Sequence, residues 1–241
     1  MNKKKCAQLL LWGCLVLGAL QSAYAGVMPE RTRLIFHEGQ TQRSLMLANT
    51  NTYPVVVQTW LDNGEGNQAP ENAVSTMVAL PSVFKLQAGA IQGLRIVQDA
   101  SSLPKDRESV SWLNIYEIPP TKTIGPMLAT QVAVAMNTQM KVFYRPANLP
   151  VPPEKMATLL TFSLKQHAGG WVLVCHNPTP YHASFSSLRV MDEGRERANA
   201  KTLDMMTPPL SDKPYSLASF SLDVQSKLTV NYTLIDDEGH Y

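Results

Sequence analysis

The stretch "ATQVAVAMNTQMKVFYRP", Ala129 to Pro146, decides how the chain is read. Its apolar residues keep one parity: Val132, Val134 and Met136, then Met140, Val142 and Tyr144. The other parity carries Gln131, Ala133, Ala135, Asn137, Gln139 and Lys141. A period of two over such a length predicts one β-strand with two different faces. It would be about three times the length of an average strand and, at roughly 3.3 Å per residue, reach about 50 Å. No small domain has a core that long, so part of the strand must pack against something else.

The rest of the chain is read around this strand. Lys3, Lys4 and Lys5 precede the apolar run "LLLWGCLVLGAL" (Leu9–Leu20), and Ala23-Tyr24-Ala25 follows. A basic start, a short apolar stretch and an A-x-A site predict a secretory leader over residues 1–25, with no membrane insertion after its cleavage. The chain carries 21 lysines and arginines against 19 acids. The leader removes three lysines and no acids, so residues 26–241 hold 18 basic and 19 acidic groups, a net charge of −1. That balance argues against a nucleic-acid partner, which needs a net basic face. Cys6 and Cys14 go with the leader and leave Cys175 alone in the apolar run "GWVLVCHN". No disulfide framework is therefore expected, and Cys175 reads as a small buried hydrophobe.

Helical periodicity is nearly absent. Short β-branched and aromatic runs recur between turn clusters: "RTRLIF", "SLMLAN", "YPVVVQTWL", "MVALPSVFKL", "GLRIVQ" and "SVSWLNIYEI". A second set follows, "ATLLTFSLKQ", "GWVLVCHN", "HASFSSLRVM", "SFSLDV" and "KLTVNYTLID". Between them "RPANLPVPPEK" (Arg145–Lys155) carries four prolines and reads as a semi-rigid connector. The pattern predicts an all-β protein of two β-sandwich domains, about 26–146 and 150–241.

Enzyme chemistry finds no footing. There is no G-x-S-x-G and no H-E-x-x-H. His176 and His182 flank "NPTPY", a weak metal signal, while Asp192-Glu193 and "DDEG" (Asp236–Gly239) read as solvated turns. No cofactor or metal is expected. Two cations stand out: Arg33 beside the apolar start of a strand, and Lys141 between Met140 and Val142. Pattern alone leaves two readings open, ordinary outward polarity or a paired basic site able to hold a carboxylate.

Four stretches in order resemble the periplasmic pilus (fimbrial) assembly chaperones of the PapD-like family. They are "RTRLIF" (Arg31–Phe36), "LPKDRESVSWLNIYEIPP" (Leu103–Pro120), "QMKVFYRP" (Gln139–Pro146) and "NPTPYHASF" (Asn177–Phe185). The resemblance implies two immunoglobulin-like domains in an L-shaped arrangement, located in the periplasm. It implies that Arg33 and Lys141 bind the C-terminal carboxylate of a pilus subunit. It makes Val132, Val134 and Met136 donor residues, filling the groove of a subunit that lacks its own last strand, with delivery to an outer-membrane usher. Glu108, Arg145 and Asp237 match the family's interdomain ion pairs. The short segment "TKTIGPMLATQ" (Thr121–Gln131) resembles the short-loop class. The family continues past the "IDDEG" position with another strand, so the second domain is expected to be short of its last one. The competing reading is an immunoglobulin-like structural or adhesive surface protein. Whether free molecules pair to cap their own donor strands stays open.

Overall fold

The computed structural model describes residues 26–64, 70–120, 134–167, 170–200, 202–217 and 228–241. In chain order its strands are β1 (Val27–Pro29), β2 (Arg33–His37), β3 (Gln42–Asn49), β4 (Val55–Asp62), β5 (Met77–Leu80), β6 (Val83–Leu86), β7 (Ile91–Gln98), β8 (Ser109–Ile118) and β9 (Met136–Arg145). They are followed by β10 (Thr161–His167), β11 (Gly170–Asn177), β12 (Ala183–Asp192), β13 (Arg195–Asn199), β14 (Met206–Thr207), β15 (Ser211–Ser216) and β16 (Leu228–Leu234). A single-turn helix, α1 (Met156–Leu159), precedes β10.

Alternation builds the first sandwich. Leu45 and Leu47 of β3 and Leu94 and Ile96 of β7 turn inward from a sheet ordered β1-β3-β7-β5. They meet Leu113 and Ile115 of β8 and Met140 and Val142 of β9, from a sheet ordered β2-β9-β8-β4-β6. All these pairings are antiparallel except β2 with β9. The second sandwich packs β10-β11-β15 against a sheet centred on β12, around Leu173, Cys175, Phe185, Leu188, Val190 and Tyr215. Cys175 lies wholly inside that core, and burial pushes its thiol above the ordinary value.

Each sandwich anchors a turn with one buried asparagine. Asn49 Nδ2 donates to the carbonyls of Tyr53, Leu86 and Gln87. Asn177 Nδ2 donates to those of Tyr181 and Pro208, and its Oδ1 accepts from Thr179. Both satisfy backbone groups that the turns leave without a ladder partner.

Some local readings change. The run "MVALPSVFKL" is two strands in two sheets, because Pro81 breaks it between β5 and β6. Ala157 to Leu159, read as the start of a strand, form α1 behind Pro152-Pro153 instead. "SFSLDV" lies outside the described residues. Among the described residues, the long strand expected over Ala129–Pro146 is in strand geometry from Met136 to Arg145, and residues 121–133 lie outside the described region. The reason is visible in its partner. β8 pairs as far as Glu117↔Met136 and ends at Ile118, before Pro119-Pro120, which have no amide hydrogen to continue the ladder.

Two cores predict two separate sites of weakness. Leu47→Ala in the first and Leu173→Ala in the second are each expected to cost about 2–5 kcal/mol, as fully buried leucines do. Segment-resolved hydrogen exchange should show each variant loosening its own sandwich first.

Candidate functional site

The parallel ladder between β2 and β9 sets out the candidate site. Arg33 pairs with Lys141, Ile35 with Phe143 and His37 with Arg145. Partners in a ladder share a face, and this face is the one turned away from the first core. Three layers result: two cations, an apolar pair, then a third cation.

The middle layer packs Ile35 and Phe143 against Met206 of β14, so the second sandwich closes over it. Below it Arg145 joins both sandwiches. Its Nε donates to Glu108 Oε1 at 2.7 Å, and Nη1 and Nη2 donate to the two Asp237 oxygens at 2.6 and 2.8 Å. Burial pulls the Arg145 guanidinium down, but hydrogen bonds and charge from Asp237 and Glu108 outweigh it and raise it above its ordinary value. Glu108 is buried, and its Oε2 accepts from the His182 amide at 2.8 Å with His182 Nδ1 at 3.2 Å. The His182 ring also packs at a tilt against Phe143, with 5.4 Å between ring centroids. The Tyr181 ring lies 5.1 Å from the Arg145 guanidinium, and its hydroxyl donates to the Val151 carbonyl in the connector. Turn 236–240 meets β2 closely: a Cβ added at Gly239 (φ +88) would lie 2.1 Å from Thr32 Oγ1. These groups border a cleft of about 390 Å³ between the sandwiches.

The upper layer is different. Arg33 is 8% exposed; its Nη1 donates to the Ile235 carbonyl at 3.2 Å, while Nε is buried without a partner. Burial lowers its guanidinium below the ordinary value, against the charges of Asp237, Asp236 and Glu108. Lys141 Nζ lies 4.9 Å from the centre of the Trp112 ring. Burial lowers it too; Asp204 opposes the shift, while Arg33 and Lys213 add to it. Among the described residues neither cation has a carboxylate at ion-pair distance. A half-dry cleft holding two unpaired cations fits an incoming anion.

The strand edge opens just above Lys141. β2 covers β9 from Lys141 to Arg145, and among the described residues Met136 to Met140 pair with β8 alone. The row that begins as core at Tyr144, Val142 and Met140 continues outward to Met136, 41% exposed, and Val134, 74% exposed. Val132 lies outside the described residues. On the other face Asn137 Nδ2 and Gln139 Nε2 both donate to Asn114 Oδ1, and Asn114 Nδ2 donates to the buried Asp62. This polar chain holds the open half of β9 on its neighbour. Sequence reading missed this chain, because isolated amides carry no pattern, and it weighed His182 only as a weak metal ligand, whereas the structure sets it against Glu108. His176, paired by spacing with His182, faces Asp212 instead.

Two immunoglobulin-like sandwiches joined through a charged cleft, with an open strand edge beside it, define a two-domain binding protein. The chain belongs to the pili assembly chaperones of the PapD family. Residues 26–150 match the model described as "Pili and flagellar-assembly chaperone, PapD N-terminal domain", and residues 155–241 match "Pili assembly chaperone PapD, C-terminal domain". It is 35% identical to the probable fimbrial chaperone YadV of Escherichia coli K12, over 99% of this chain and 95% of that one. The crystal structure of the YadV chaperone superimposes with a TM-score of 0.71 at 30% identity, covering 89% of this chain and 96% of that one. The Salmonella enterica SafB chaperone, solved in complex with the SafA pilin, gives a TM-score of 0.67 at 25% identity, covering 91% and 94%. The chain is a fimbrial assembly chaperone, not an enzyme.

The ion cluster predicts a large stability effect. Arg145→Met leaves Glu108 buried without its cation and should cost about 3–5 kcal/mol in urea denaturation. Adding Glu108→Gln should recover part of the loss.

Proposed function

We propose that this chaperone works in the periplasm by donor-strand complementation and hands its subunit to an outer-membrane usher. The observation that carries this reading is the pair Arg33 and Lys141, in register and without a carboxylate partner among the described residues, at the foot of an open strand edge. A subunit's terminal carboxylate binds between the two cations. Its preceding residues then run along the free edge of β9, taking the backbone hydrogen bonds that β2 does not.

Fixing the carboxylate fixes the register. Met136 lies five residues from Lys141, about 17 Å in an extended strand. Val134 and Met136, with Val132 beyond them, are the side chains assigned to the subunit's open core. The pilin bound to the Salmonella enterica relative supports a pilus subunit as the partner. Glu108, Arg145 and Asp237 serve as the interdomain clamp, holding the second sandwich against the sheet that carries Arg33 and Lys141 while subunits come and go. No nucleotide enters this scheme, because the chaperone only holds the subunit short of its better-packed partner strand.

Three variants test it by co-purification of a pilin from periplasmic extract. Lys141→Glu should abolish the complex, whereas Lys141→Met should also lose it without lowering the free protein's stability, since burial already disfavours that charge. A complex that survives Lys141→Glu sinks the carboxylate anchor. Val134→Asp should weaken capture by several kcal/mol, through a charge forced into an apolar groove. Undiminished capture would show that Val134 does not enter the subunit.

A further inference from the structure

The first of the described residues, Gly26, is buried, and the group it meets is a carboxylate. Glu117, near the end of β8, is 5% exposed and in register with Met136 and Val57. Its Oε2 accepts from the Val27 amide at 2.8 Å and its Oε1 from Asn51 Nδ2 at 2.7 Å. Neither donor carries a charge. The elements packed around it bring Gly26 and Val27, the turn at Asn49 to Asn51, Val57 of β4 and Met136 of β9, none of them ionisable. Among the described residues no lysine, arginine or histidine forms an ion pair with Glu117. A buried carboxylate held only by neutral donors is costly, and such charges are ordinarily paired.

Gly26 is held firmly beside it. Its carbonyl accepts from the Thr50 amide at 3.0 Å and the Thr50 hydroxyl at 2.6 Å, and its φ is +90°. A Cβ added there would lie 2.6 Å from Glu117 Oε2 and 2.3 Å from Met136 Cε, so a side chain would displace both ends on a backbone conformation that already favours glycine. Standard bond lengths put the Gly26 nitrogen within about 5 Å of that oxygen.

We propose that Glu117 is the socket for the α-ammonium group that leader removal creates on Gly26. While Ala25 and Gly26 are joined, that nitrogen is a neutral amide. Hydrolysis of the bond adds water, leaves a carboxylate on Ala25, and frees an amine on Gly26 that takes up a proton. The missing cation is thus supplied by processing, one register pair from Met136, where the open edge of β9 begins. The inference rests on the export reading above and on cleavage after Ala25, but not on donor-strand capture.

The test uses the protein purified from periplasm, with its first residue fixed by intact mass and its α-amino titration followed by amine-labelling rates read at Gly26. The α-amino pKa should stand about one unit above its ordinary range of roughly 7.7–8.0, and Glu117→Gln should return it to that range. An ordinary value in the unaltered protein overturns the proposal, as does a raised value that Glu117→Gln leaves in place. Should Glu117→Gln not fold, a chain that keeps Ala25 as its first residue replaces it. A folded-state pKa raised above the unfolded value stabilises at pH below the unfolded value and ceases to do so as pH rises through the folded one. The processed protein should therefore melt higher than the extended one at pH 7, and this advantage should fade above about pH 10. An advantage that does not change with pH overturns the pairing. A first residue other than Gly26 overturns the cleavage premise, while leaving the pilin capture experiments as they stand.

Discussion

Five register pairs between β2 and β9 fix almost everything else in this molecule. Because the ladder is parallel and starts at Arg33↔Lys141, it places two cations side by side on the face away from the core. Two residues on, the same face offers Ile35 and Phe143 to Met206 of the second sandwich. Two further on it offers Arg145 to Glu108 and Asp237. The ladder's start also decides where β9 is left with one neighbour. Spacing of charge, contact between sandwiches and exposure of the edge are consequences of one pairing.

The two ends of that ladder treat buried charge in opposite ways. Arg145 is fully matched: a bidentate carboxylate on one side and a buried one on the other, with a tyrosine ring beneath. Its geometry rigidifies the joint between sandwiches. Arg33 and Lys141 have no carboxylate partner among the described residues, and burial lowers both. A site in that state gains more from an incoming carboxylate than a solvated pair would, since its own desolvation cost is already incurred in folding. Rigidity at one end preserves the unsatisfied state of the other.

Parity made part of this legible from sequence. The alternation through Met140, Val142 and Tyr144 identifies core, and the same count puts Lys141 on the other face with Arg145. Where the strand would end was not legible, because the limit lies in its neighbour: the prolines that stop β8 are far from β9 in sequence. Other elements escaped because their signal is not hydrophobic. β13, "RERAN", is four-fifths polar yet pairs with β12, and β15 carries Pro214 on an edge that needs no second ladder. "MVALPSVFKL" reads as one run because periodicity cannot reveal a change of sheet. The buried polar groups Glu117, Asp62 and Asn114 carry no periodic signature at all, so only three-dimensional placement reveals them.

The prolines after β8 have a further meaning. Each strand added to a sheet satisfies its backbone on two sides, and a chain free to do so would zip its own segment shut. Pro119 and Pro120 remove that option just where β9 passes Glu117, so Val134 and Ala135 gain no ladder on β8. The self-pairing of this segment is thus limited by a boundary on a different strand. A longer β8 would make a more self-contained sandwich.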